Sequence, residues 1–175
     1  MKDWLARILN PQSTDPGDAP APAPVIAQRN PRREQRVDAE ITMIARRFSR
    51  PPYEGIYYDD VHRDWLLIPN YPLPARFADR HCNLLIVFPG AYPETPPIGF
   101  YLDKPYRLRN GAQDAHLTGR SYHDAPDLTE QGWHWYCVTL DMQAAGAWNP
   151  QADPRRPDNL WTYLNMIRET LTNDF

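Results

Sequence analysis

The chain has 175 residues, of which 42% are hydrophobic, and a formal net charge of −3 at pH 7. This length suits one compact domain with a tail, and so small a net charge predicts no general attraction to nucleic acid or to an anionic membrane. No apolar run approaches the ~20 residues that a membrane-spanning helix needs. From the small net charge and from this pattern, we expect neither nucleic acid nor a membrane as a partner.

The N-terminal part of the chain is predicted to lie outside the folded domain. Residues 1–10 can form a short amphipathic helix, although a frayed terminus is the alternative because so short a helix is marginal alone. Its apolar residues fall at helical spacing: Trp4, Leu5, Ile8 and Leu9. Residues 11–29 are rich in proline and alanine, a composition that favours an extended linker. The folded domain is predicted to span residues 30–175.

The cysteine and histidine content indicates a reduced, metal-free protein. The first ten residues contain no continuous apolar stretch of the kind that a secretory signal needs, so we expect a cytoplasmic protein. Cys82 and Cys137 are then expected to be free thiols. The two cysteines are not at metal-ligand spacing and the five histidines are scattered, so we expect no metal and no cofactor.

A helix of about four turns is predicted over residues 31–48. Asn30 can cap it, Pro31 suits its first position, and Pro51 and Pro52 end it. One apolar stripe recurs at spacings of four, three and four: Val37, Ile41, Ile44 and Phe48. Arginines occupy the other sides, either as a solvated face or as a docking surface: Arg33, Arg36, Arg46 and Arg47.

The middle of the chain has the pattern of an antiparallel meander of four strands. Four short runs rich in Tyr, Ile, Val, Leu and Phe are separated by clusters of turn-forming residues: Gly55–Tyr58, Trp65–Ile68, Cys82–Phe88 and Ile98–Leu102. Residues 103–132 are polar and irregular, which predicts a long functional or mobile loop. The meander and the helix before it predict an α+β domain.

A second helix is predicted from Asn159 to Leu171, with Asp158 or Asn159 as its cap. Its apolar stripe is Leu160, Leu164, Ile167 and Leu171. The resulting order is helix, strands, long loop and helix, with the helices packed against one antiparallel sheet.

The most specific string in the chain is Phe88-Pro89-Gly90-Ala91-Tyr92-Pro93-Glu94-Thr95-Pro96-Pro97. Its four prolines stop the strand ladder and force an extended crossing. The string resembles the FP-x-x-YP-x-x-PP signature of the ubiquitin-conjugating (UBC, E2) fold. Further along, Cys137 is followed by Leu140-Asp141, Trp148-Asn149-Pro150 and the second helix, an order similar to the E2 active-site cysteine, Leu-Asp, Trp-Ser-Pro and crossover helix.

The resemblance covers about residues 31–171 and is greatest to the divergent prokaryotic E2-like families. It implies a carrier that receives a ubiquitin-like modifier from an E1-like activating enzyme as a Cys137 thioester. The modifier then passes to a lysine of a target protein, in a bacterial conjugation pathway. It also implies that the first helix docks the activating enzyme, with Arg33 and Arg36 at its exposed start.

The chain departs from the E2 pattern in three ways. The His-Pro-Asn tripeptide that precedes the E2 cysteine is missing, and the stretch before Cys137 is longer than usual. The C-terminal helices of a typical E2, and the acidic residue beyond the crossover helix, are also missing. These departures concern how the lysine is activated rather than the thioester itself.

Two residues are candidates for the missing oxyanion donor. In an extended run, Trp133, Trp135 and Cys137 share one face, which leaves His134 pointing away from the thiol. His123, in the preceding loop, has no such restriction and can orient the loop or donate to an oxyanion. Asn149 is the other candidate, because the E2 arrangement places it beside the cysteine.

Two other functions compete with the carrier. A non-catalytic module resembling the inactive E2 variants or RWD domains would recognise a ubiquitin-like protein or a partner enzyme, and the missing His-Pro-Asn favours it. A cysteine protease or acyltransferase ranks last, because the residues flanking Cys137 do not support a Cys-His pair. A lone cysteine is otherwise most often part of a core, which is the role that we expect for Cys82.

Overall fold

The structure is a computed structural model that describes residues 32–173 except 52, 54, 119–120, 122–124 and 139–147. Its elements, in chain order, are α1 Arg33–Phe48, β1 Tyr57–Tyr58, β2 Trp65–Pro72, β3 His81–Val87, β4 Gly99–Leu102, a 3₁₀ turn Thr129–Gln131, β5 His134–Cys137 and α2 Leu160–Thr172. The predicted N-terminal helix and linker lie outside the described residues. None of the helices that the structure describes is long and apolar enough to cross a membrane.

The sheet has five antiparallel strands in the order β1-β2-β3-β4-β5, so the predicted meander is one strand short. The strand that the prediction omitted is β5, a four-residue run that pairs with β4 and places Cys137 opposite Gly99. β2 also runs further than predicted and continues to Pro72 through an irregularity between Ile68 and Tyr71. These additions extend the meander and keep its predicted α+β class.

Both helices pack against the sheet, as predicted, and the structure places them on the same face of it. Val37 and Ile44 of α1 and Leu164 and Ile167 of α2 are buried in one core that includes inward residues of β2, β3 and β4. Asn159 caps α2 by accepting a hydrogen bond from the backbone N–H of Thr162 at 3.0 Å. Cys82 is buried in the same core, as predicted.

The opposite face of the sheet carries a second, smaller apolar cluster. Its buried members come from four neighbouring elements of the sheet: Leu67, Leu85, Tyr101, Trp133 and Trp135. Ala125 and Leu128 pack against it, and the Tyr101 hydroxyl donates to the backbone oxygen of Pro126. The last part of the long loop therefore covers this face.

A buried carboxylate joins the two helices to the proline-rich string. Glu40 of α1 is fully buried and accepts hydrogen bonds from Arg36, from the Tyr92 hydroxyl and from the backbone N–H of Leu160 at 2.9 Å. Leu160 is the first residue of α2, whose N–H groups have no partner within the helix. Glu40 thus caps α2 from a neighbouring helix.

The prediction that Arg33 and Arg36 are exposed is wrong. Arg33 is fully buried, pairs with Asp64 at 3.0 Å and donates to the backbone oxygens of Phe88 and Pro89. Arg36 is also buried and holds Glu40. Arg33 supplies donors to carbonyl oxygens where the proline-rich segment leaves the sheet. Arg36 supplies donors to the Glu40 carboxylate and to the backbone oxygens of Gln151 and Asp158.

Candidate active site

Cys137 is the last residue of β5 and lies on the sheet face away from the helices. It packs half-buried against the cluster that contains Trp133 and Trp135, while Tyr136 belongs to the helix-side core. The predicted alternation along this run is therefore confirmed. The thiol lies at the rim of an apolar patch and at the end of a strand.

Gly99 allows the strand that carries Cys137 to pack closely on β4. A Cβ atom at Gly99 would overlap the indole ring of Trp135, so the ring lies directly over the glycine backbone. The Gly99 carbonyl accepts a hydrogen bond of 2.8 Å from the hydroxyl of Tyr163, which is fully buried. Gly99 thus connects α2 to the strand position opposite Cys137.

The far edge of β5 is covered by the segment around His116. The Cys137 N–H donates to the His116 backbone oxygen at 2.9 Å, and Leu117 forms an antiparallel bridge with Tyr136. The His116 ring returns to the same residue, with Nδ1 3.1 Å from the Cys137 carbonyl oxygen. His116 is buried, so its backbone oxygen and its ring together hold the Cys137 backbone in place.

A chain of polar contacts connects this segment to the end of α2. The His116 backbone N–H donates to the Asp114 carboxylate at 2.9 Å, and Asp114, which is buried, pairs with Arg76. Arg76 also donates to the backbone oxygen of Leu171 at 2.7 Å. The position of His116, and through it that of Cys137, is thereby set relative to the second helix.

Burial raises the pKa of the Cys137 thiol above its ordinary value, because the apolar surroundings disfavour the thiolate. The hydrogen-bond contact of the sulfur is with the neighbouring Val138 carbonyl at 3.6 Å. Burial raises the pKa of Cys82 far more, with the Asp103 charge adding to it. Of the two cysteines, Cys137 is therefore the one whose thiolate forms more readily.

The two sequence motifs meet in space. The indole N–H of Trp148 donates to the Pro93 carbonyl at 2.7 Å, and the N–H of Val138 donates to the Ile98 carbonyl at 3.2 Å. Tyr92, whose peptide bond to Pro93 is cis, is fully buried beneath them. The proline-rich string thus fixes both Val138, directly after Cys137, and Trp148.

Of the two candidate oxyanion donors, the structure describes only Asn149. Asn149 is exposed, and its backbone N–H donates to the Asp158 carboxylate at 2.7 Å. His123 lies outside the described residues. His116 was missed by sequence reasoning, because its pairing with β5 is a long-range contact and the polar segment around it carries no periodic signal.

The described part of the chain contains no group of three or more His, Cys, Asp and Glu side chains able to hold a metal ion. Comparison with known proteins gives one match, to the family model of prokaryotic E2 family E over residues 51–174. No curated protein and no solved structure matches the chain significantly. The α+β architecture, with five antiparallel strands and two helices, is compatible with the ubiquitin-conjugating fold. Since the match covers well over half of its length, the chain belongs to prokaryotic E2 family E.

Proposed function

We propose that the protein is an E2-like carrier that holds a ubiquitin-like modifier as a thioester on Cys137. In the charging step the Cys137 thiolate attacks the modifier's C-terminal thioester on an E1-like enzyme, and the enzyme's cysteine thiolate leaves. In the transfer step a lysine amine of a target protein attacks the new thioester, loses a proton and releases the Cys137 thiolate. The cycle needs free thiols, which fits action in the cytoplasm.

The observation that carries this proposal is the position of Cys137 in a member of an E2-like family. Its half-buried thiol ends β5, and the proline-rich string supports Val138 and Trp148, which lie after it in the chain. Cys82 is 3% exposed and lies in the core, where a protein partner has no access to it. Access and support together favour Cys137 as the carrier residue.

The raised pKa of Cys137 suits a carrier that rests between partners. A thiol that is mostly protonated near pH 7 resists oxidation and unproductive acylation, since the thiolate is the nucleophile. The activating enzyme would then supply the environment in which the proton leaves. The same burial makes the Cys137 thiolate a poorer leaving group, because a thiol of higher pKa is expelled more slowly, and this stabilises the loaded thioester between partners.

The oxyanion that forms during transfer needs a donor, and losing one such donor can cost ~10²–10³ in rate. We propose His123 for this role, with Asn149 as the second candidate. His123→Ala should leave charging intact but slow discharge to lysine at least tenfold, about 1.4 kcal/mol of barrier. Single-turnover discharge, run beside a melting curve, measures this, and a wild-type discharge rate would shift the role to Asn149.

The second candidate function is a non-catalytic module that recognises a ubiquitin-like protein or its enzyme. The packing of Cys137 against the Trp133 and Trp135 cluster favours it, because a structural cysteine has the same raised pKa and apolar contacts. In this case binding of the modifier would not depend on the thiol. Cys137→Ala would then retain every property of the protein.

The deciding experiment is a non-reducing gel of the protein with its cognate activating enzyme, modifier and ATP. The carrier gives a band shift that added thiol removes, that Cys137→Ala abolishes and that Cys82→Ala retains. Cys137→Ser is the matched control, since an oxyester would survive the added thiol. A thiol-sensitive shift in Cys137→Ala that is lost in Cys82→Ala would show that Cys82 is the carrier, and no shift with any variant favours the binding module.

A further inference from the structure

A cleft between the two helices, separate from the Cys137 region, has the composition of an anion-binding site. It opens where the end of α1 passes α2 and the end of β2, and none of its described lining residues is acidic. Its polar and aromatic lining comes from three parts of the chain: Arg47, Tyr53, Tyr71, Trp161, Asn165 and Arg168. Cationic, aromatic and amide groups therefore face one small space without a carboxylate.

The two guanidinium groups of the cleft have no acidic partner within the described chain. Arg47 lies over the indole of Trp161, with its Cζ 5.2 Å from the ring centroid, and this stacking orients the guanidinium plane. Arg168 lies one to two turns further along the same helix as Trp161 and also lines the cleft. Trp161 is 38% exposed, one of the few large apolar side chains with that much exposed surface.

The hydroxyl of Tyr71 adds a donor at the bottom of the cleft. Tyr71 is only 6% exposed, and none of the described residues forms a hydrogen bond with its hydroxyl. Burial raises the pKa of this phenol, while the charges of Arg168 and Arg47 act in the opposite direction, so both cations lie within its electrostatic reach. The oxygen of this hydroxyl is not cut off from solvent, so it can donate to a group that enters the cleft.

The arginines alone have a simpler explanation, because basic residues in the last turn of a helix interact favourably with its dipole. Arg46 and Arg47 both meet that description in α1. Of these two residues only Arg47 lines the cleft, however, and the dipole of α1 does not explain why Arg168 of α2 also lines it. Arg46 therefore serves as the matched control for a role that goes beyond the helix dipole.

We propose that this cleft is a docking site for an acidic segment of a partner protein. A Glu or Asp carboxylate would lie between Arg47 and Arg168 and accept from Tyr71, and an adjacent apolar residue would cover Trp161. Charge complementarity selects the carboxylate. The cleft has a volume of about 40 Å³, which suits one side chain. Two arginines on a chain with a net charge of −3 are too few for a nucleic-acid surface.

The probe is a short acetylated peptide of alternating Leu and Glu, compared with a Leu-Gln peptide of the same length. Backbone amide shifts of the full chain, recorded on the Cys137→Ala protein, report where each peptide binds. Because this readout needs no thiol, it is independent of the carrier function. The Glu peptide should shift amides around the cleft, and the Gln peptide should not.

Three variants test the assignment at one fixed salt concentration. Replacing both Arg47 and Arg168 with Gln should weaken binding of the Glu peptide at least tenfold, whereas Arg46→Gln should change it less than twofold. Tyr71→Phe should weaken binding several-fold and leave the melting temperature unchanged or higher, because the free protein loses no hydrogen bond. Any one of four results would overturn the proposal. The Gln peptide could bind as tightly as the Glu peptide, or Arg46→Gln could weaken binding as much as the double replacement does. The shifted amides could lie away from the cleft, or millimolar peptide could shift none.

Discussion

The imidazole of His116 lies against the backbone carbonyl of Cys137, with Nδ1 3.1 Å from the oxygen. The backbone oxygen of His116 accepts from the Cys137 N–H at 2.9 Å, so one residue contacts both polar groups of the cysteine backbone. Because the Cys137 side chain rotates about its Cα–Cβ bond, the position of the backbone determines which positions the sulfur can reach. His116 is thus a positioning residue for the thiol.

Replacement of His116 should separate positioning from packing. His116→Asn keeps a donor near the place of Nδ1, whereas His116→Leu keeps most of the volume without a donor. We expect His116→Leu to slow charging of Cys137 about tenfold, equivalent to ~1.4 kcal/mol, and His116→Asn to restore most of that rate. Charging kinetics and melting temperatures of both variants measure this. Equal rates in the two variants would mean that the ring only fills space.

The reactivity of Cys137 toward iodoacetamide should rise at higher pH than that of a free thiol. Burial favours the neutral thiol, so the folded-state pKa lies above the ordinary value of ~8.5 and the thiolate fraction near pH 7 is smaller than in the unfolded chain. Alkylation rates across pH 7–10, followed by mass spectrometry, test the sign. Cys82 is the internal control and should react only on unfolding. A Cys137 rate that saturates below the pH of a free thiol would contradict the prediction.

Loss of the Glu40 carboxylate should strongly destabilise the fold. Glu40→Ala leaves the buried Arg36 without its carboxylate and removes the cap from Leu160, so we expect a loss of about 3–5 kcal/mol in the free energy of unfolding. Glu34→Ala removes an exposed carboxylate from the first turn of the same helix and should change the free energy of unfolding by less than about 0.5 kcal/mol. Urea unfolding measures both. Similar values for the two variants would show that the buried network contributes little.

Gly99→Ala should destabilise the protein through a single contact. The added methyl group would overlap the Trp135 indole, and such overpacking costs about 1–3 kcal/mol. The cost should be smaller when Trp135 is first replaced by Ala, because the overlap is then absent. A double-mutant cycle by urea unfolding gives the coupling directly. Additive effects of the two substitutions would show that the indole moves aside without cost.

The sequence predicted both helices well because each apolar stripe is local. The spacing from Val37 to Phe48 and from Leu160 to Leu171 defines a face without reference to the rest of the chain, and both faces are buried. β5 was not counted as a strand because four residues, two of them Trp and His, carry too little periodic signal. Pairing with β4 makes this run a strand, and that pairing is a long-range property.

The arginines of α1 show what a helical pattern cannot indicate. Arg33 and Arg36 fall off the apolar stripe, so the pattern treats them as exposed, yet both are buried. Arg33 is held by backbone oxygens of the proline motif, those of Phe88 and Pro89. Arg36 is held by the Glu40 carboxylate and by backbone oxygens that precede α2. Cys137 was a candidate through its motif, whereas the role of His116 depends on tertiary contacts that no local pattern contains.

The capping of α2 by Glu40 makes the first helix part of the cooperative unfolding unit. The family match begins at residue 51, beyond the end of α1, whereas Glu40 and the core stripe of α1 lie before it. A truncated chain that started at residue 51 would expose the buried face of α2 and leave the Leu160 N–H without its carboxylate. The smallest autonomous folding fragment therefore has to include Arg33–Phe48, and the two helices should lose their hydrogen-exchange protection together.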